Sequence, residues 1–79
     1  MTETAQKIMS LFTKYGKTKP GMVLAASELS STSNDWGHQH FERLKDAMDE
    51  LRNEGYVIIT PSKGLELTEK GYDFLFNEQ

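Results

Sequence analysis

Residues 41–71, FERLKDAMDELRNEGYVIITPSKGLELTEKG, decide the fold, because they spell a helix, a tight β-hairpin and the opening of a further helix. Phe41, Leu44, Met48 and Leu51 fall three and four apart, so a helix places all four on one face, and that face must be buried. Gly55 follows the last of them where a helix commonly ends in a left-handed residue, a conformation that glycine adopts without a Cβ penalty. Tyr56 to Thr60 are aromatic or β-branched, the residue types that fit a pleated, half-buried surface. Pro61, Ser62, Lys63 and Gly64 supply turn chemistry, and Leu65, Glu66 and Leu67 alternate as a short return strand does. The hairpin is therefore expected over residues 56–60 and 65–68. Thr68 is placed to cap a last helix, EKGYDFLFNEQ, with Tyr72, Leu75 and Phe76 on its inner face.

A helix stop at Glu54-Gly55-Tyr56-Val57, a hairpin, and then Leu67-Thr68-Glu69-Lys70-Gly71 resembles the second half of small winged helix-turn-helix proteins, which are common among bacterial regulators and short phage-borne proteins. The resemblance covers about the last half of the chain. It implies an α+β winged helix, with a three-helix core, a C-terminal β-hairpin wing and a short final helix, over a single domain of residues 1–79. In most relatives that fold binds DNA, although one fold hosts many functions.

Towards the amino terminus, Thr2 or Thr4 can cap a first helix in which Ala5, Ile8, Leu11, Phe12 and Tyr15 keep helical spacing up to Gly16. Lys17 to Gly21 is a basic connector, expected to be exposed and mobile, and it closes on the helix breakers Pro20 and Gly21. Met22, Val23 and Leu24 form a short apolar run, which the resemblance casts as a small strand paired with the wing. A second helix starts without a capping side chain, because Ala25 occupies that position. Ser30 to Ser33, four consecutive hydroxyl residues, compete for backbone hydrogen bonds, so a short second helix and a longer polar loop are expected. Asn34 or Asp35 would then cap the long third helix, and Trp36 would fold the loop onto the core.

Seventy-nine residues make one domain with a small core, whose stability margin a dimer would widen. The chain has no cysteine, hence neither disulfides nor thiolate metal sites, and MTETAQKIM lacks the basic and apolar regions of a secretory leader. No stretch reaches membrane-spanning length, and a cytoplasmic protein is expected. The net charge of −3 is unevenly spread. Residues 1–27 carry four lysines against one glutamate, a balance of +3, whereas residues 28–79 carry five cations against eleven acids, a balance of −6. That balance opposes avid, nonspecific nucleic-acid binding, whose affinity comes from cations neutralising phosphates.

With Phe41, Leu44, Met48 and Leu51 inside, the third helix turns Gln39, His40, Glu42, Arg43, Lys45, Asp46, Asp49, Glu50 and Arg52 outward. The resemblance carries groove entry onto Gln39, Glu42, Arg43, Lys45 and Asp46. Gln39, Arg43 and Lys45 suit base edges and phosphates, with Arg43 able to bridge guanine, while the acids oppose phosphates. Lys63 at the hairpin tip and Lys14 and Lys17 near the first loop are candidates for backbone contact. The competing reading is an ordinary solvated or protein-facing surface. His38 and His40, with Asp35 and Glu42 near, make a poor metal site, since residues two apart on a helix diverge. No phosphate loop, nucleophile motif or cofactor signature appears, so neither an enzyme nor a cofactor is expected. Phe74 falls opposite the inner face of the last helix and is the candidate partner contact, for a homodimer or another protein. The expectation is thus a regulator that binds duplex DNA, with a protein-binding winged helix as the alternative.

Overall fold

A computed structural model of the chain describes residues 1–14 and 16–76. The expectations for Tyr15 and for the Phe41 side chain lie outside the described residues. The elements run α1 (Glu3–Leu11), β1 (Val23–Leu24), α2 (Ala26–Asp35), α3 (His38–Glu42), α4 (Leu44–Asn53), β2 (Val57–Ile59), β3 (Leu65–Leu67) and α5 (Glu69–Phe76). The result is a mixed α+β structure whose three strands form one antiparallel sheet in the order β1-β3-β2.

At Gly55 the chain turns as its sequence requires. Gly55 has φ 83°, its N–H donates to the Arg52 carbonyl, and the Tyr56 N–H donates to the Leu51 carbonyl, both at 3.0 Å. These two bonds satisfy carbonyls that the helix end would leave open, and they set the chain directly into β2. The hairpin forms where it is expected, with Val57 opposite Leu67, Ile58 opposite Glu66 and Ile59 opposite Leu65. Leu24, Val57, Leu65 and Leu67 are buried beneath the sheet, and the opposite face carries Val23, Glu66 and Ile58.

β1 reaches β3 through a built turn. The Met22 N–H donates to the Lys19 carbonyl across Pro20 and Gly21. Gly21 (φ 92°) donates to the Leu67 carbonyl, while the Leu67 N–H donates to Met22, so two residues oppose one. This is a glycine bulge, and it lets the basic connector enter the sheet at a sharp angle. Gly64 completes the join, for a Cβ there would stand 2.5 Å from the Leu24 carbonyl oxygen.

The helical half departs from expectation in three places. First, α2 continues to Asp35 in place of a short helix and a polar loop. Ser33 is fully buried and returns its hydroxyl to the Ser30 carbonyl at 3.0 Å, so the serine run satisfies itself inside the helix. Asn34 and Asp35 consequently lie in α2 and cap nothing after it. Trp36 does pack against the core, half-buried. Ala25 indeed provides no side-chain cap.

Second, the third helix is two helices. Arg43 (φ −91°, ψ 1°) interrupts it, and the inward stripe runs through His40, Leu44, Ala47 and Leu51, with Met48 half-buried at its edge. Ala47, 2% exposed, lets α1 close on α4, and this packing rotates the helix relative to a face chosen by its largest apolar residues. Thr2 caps α1 through Ala5, and its N–H and hydroxyl also reach Glu50 at 3.1 and 2.9 Å, so Glu50 is a tether to α1.

Third, Phe74 and Phe76 exchange places. α5 approaches the sheet through Gly71, where a Cβ would stand 2.2 Å from the Tyr56 carbonyl oxygen. One turn on, Phe74 stacks on Tyr56 with centroids 4.6 Å apart, and Phe76 is left 51% exposed. Thr68 caps α5 as expected: its hydroxyl accepts from the Gly71 N–H at 3.0 Å and donates to the Gly55 carbonyl at 2.6 Å. Among the described residues no helix is long and apolar enough to cross a membrane.

Candidate nucleic-acid interface

The hairpin tip is built by Thr60. Its carbonyl accepts from the Lys63 N–H at 2.8 Å, its N–H donates to Gly64, and its hydroxyl accepts from the Gly64 N–H, both at 2.9 Å. Pro61 presets the turn, and Lys63 then sits at φ 66°, the left-handed position that three-residue hairpin loops usually give to glycine. A side chain held there carries a backbone cost of about 1 kcal/mol or more. Lys63 is exposed, and it lines an open groove of about 540 Å³ between α2, α4 and the hairpin.

The floor of that groove is apolar, made by Leu29, Leu44, Met48 and Ile59. Its borders are charged: Lys63 from the hairpin, Lys45 and Asp49 one turn apart on α4, and Glu42 at the end of α3. Lys45 and Lys63, far apart in sequence, therefore share one depression. Two cations and two acids thus share its border.

Arg43 belongs to another hollow. It is exposed at the break between α3 and α4, and lines a depression of about 240 Å³ with Thr2, Glu3, Asp46 and Glu50. Three carboxylates, those of Glu3, Asp46 and Glu50, border the same depression as this guanidinium. Gln39 is exposed on α3. Lys14 and Lys17 are exposed in the segment after α1 and line neither hollow. The structure thus unites Lys45 and Lys63 in one groove, which Arg43, Gln39, Lys14 and Lys17 do not line. Missed in the sequence were the groove-floor side chains, of which helical spacing assigned Leu44 and Met48 to the core and the strand pattern took in Ile59. Only the hairpin's return over α4 makes their outer edges the floor of a groove.

The two histidines separate, as their spacing demands. His38 Nε2 lies 2.9 Å from Glu42 Oε1 at an exposed site. His40, expected to point outward, is buried instead, with Nδ1 2.8 Å from Thr4 Oγ1 on α1. Trp36 stands edge-on to His40, with centroids 6.5 Å apart, and Lys7 Nζ lies 5.8 Å from the Trp36 ring centroid. This cluster joins α1 to α3 and satisfies every polar group it buries. Phe74, expected to be exposed as a partner contact, is half-buried and stacks on Tyr56, and the exposed aromatic of α5 is Phe76. Set beside known protein families, curated proteins and solved structures, the chain matches none of them.

Proposed function

We propose that the chain is a winged-helix module that binds duplex DNA, using α4 and the hairpin as helix and wing. The observation that carries the reading is the pairing of Lys45 with Lys63 across one groove, with Lys63 kept at a left-handed backbone position where glycine would sit at lower cost. The element order supports it: helix, strand, three helical segments, then a hairpin whose second strand pairs with the first strand of the sheet. On this reading Lys45 and Lys63 hold phosphates, and the exposed Gln39 and Arg43 face base edges, with regulation of transcription in the cytoplasm as the setting.

The test is a titration of mixed-sequence duplex with the protein at low salt, repeated as salt rises. Binding should weaken along a log–log slope of roughly −0.9 for each phosphate neutralised. Lys63→Ala should weaken binding to all sequences alike and reduce the slope by about 1, whereas Arg43→Ala should cost about 1–3 kcal/mol and relax base preference. Absence of binding at low salt would overturn the reading. A second reading is favoured by the apolar groove floor and by Glu42 and Asp49 on its border: a winged-helix surface that binds protein.

A further inference from the structure

The face formed by α1 and α5 has a different character from both hollows described above. Between the two helices lies a depression of about 580 Å³ lined by Met9, Ser10 and Thr13 on one side and Phe74, Leu75 and Phe76 on the other, with Gln6 at its edge. None of these seven residues carries a charge, in a chain where 27% of residues do. Gln6, Ser10 and Thr13 are exposed and follow one another at helical spacing, so the uncharged strip runs the length of α1 and into the turn beyond. Phe76 projects beside the depression, 51% exposed, its ring tilted against Tyr72 with centroids 4.8 Å apart.

We infer that this face binds a second copy of the chain, each Phe76 entering the depression of the other across a two-fold axis. Charge selects the occupant. The other two hollows are bordered by carboxylates, which a two-fold contact would set against those of the second copy. The lining of the α1–α5 depression is uncharged and meets its own copy without a like-charge penalty, while it offers a polyanion nothing to hold. Its shape is self-complementary, with a projecting aromatic and an apolar-lined hollow on one surface, as a two-fold interface requires. Helices of nine and eight residues are each only about 12–14 Å long. They present less than the roughly 800 Å² per partner of a standard interface, so association is expected to be weak and to depend on concentration.

This inference stands independently of DNA binding, because the experiment contains no DNA. Sedimentation of the full chain from about 10 µM to 1 mM should show a mass rising from 9.0 kDa towards twice that value. Phe76→Ser, and separately Ser10→Lys, which sets like charges across the axis, should each weaken association at least tenfold, with urea unfolding showing both variants folded. A monomer at every concentration, or a dimer that either variant leaves unchanged, would overturn the proposal.

Discussion

Gly71 and Lys63 show how much one backbone position can decide. At Gly71 any side chain meets the Tyr56 carbonyl oxygen at 2.2 Å and Leu67 Cδ1 at 2.7 Å, and the first obstacle is backbone, which cannot swing aside. Gly71→Ala is therefore expected to lose about 1–3 kcal/mol in urea unfolding, despite alanine's better helix propensity, as α5 lifts from the sheet. Unchanged stability would mean that α5 docks less closely than described. Lys63 presents the reverse case. Lys63→Gly relieves the left-handed strain while adding freedom to the unfolded chain, so stability should hold or rise by up to about 1 kcal/mol. On the proposed DNA-binding reading, affinity for duplex should fall in the same variant. A loss of stability in that variant would show that the lysine side chain, beyond its charge, holds the tip together.

Among the elements, α5 depends most on a single junction. The Thr68 hydroxyl ends the helix and also ties it to Gly55, the residue that closes α4, while the Thr68 N–H donates to the Tyr56 carbonyl at 3.1 Å. Removing this cap in Thr68→Ala should cost about 1–2 kcal/mol and speed amide exchange in α5 well before it does so in α4. Equal loss of protection in both helices would show that they open as one unit. α2 teaches a different lesson. Its serine run is a poor helix former on propensity alone, yet Ser33 is turned inward beneath a helix held by Leu29. Packing decides the state of a segment whose local preference is weak.

Over the whole molecule the margin is thin. A Cα radius of gyration of 11.4 Å is close to the roughly 11.6 Å expected for a compact domain of this length. At the usual stability per residue, the chain has about 4–12 kcal/mol to lose. Leu51, fully buried where α4 is pressed against α1, should cost about 2–5 kcal/mol on truncation to alanine. Thermal unfolding of Leu51→Ala is expected at least about 10 °C below the parent, and a drop of only a few degrees would show that the core closes over the gap.

Local chemistry wrote much of this fold openly. The Gly55 stop, the strand run, the turn residues and the Thr68 cap each act within a few positions of themselves, so their bonds are legible from residue types and spacing. So too is the first helix, whose apolar residues Ala5, Ile8, Leu11 and Phe12 are all buried as their spacing demands. What remained hidden depended on which neighbour arrives. Small residues set the closest approaches, Ala47 under α1 and Gly71 against Tyr56, and a pattern of large apolar side chains gives them no weight. That is why the helical face shifted to His40, Leu44, Ala47 and Leu51, and why Phe76 emerged where Phe74 was expected. The candidate site shares this history: the lysines were visible one by one in the sequence, but the partnership of Lys45 with Lys63 exists only because β2 and β3 fold back over α4, and residue spacing along the chain cannot register a distance closed by a hairpin.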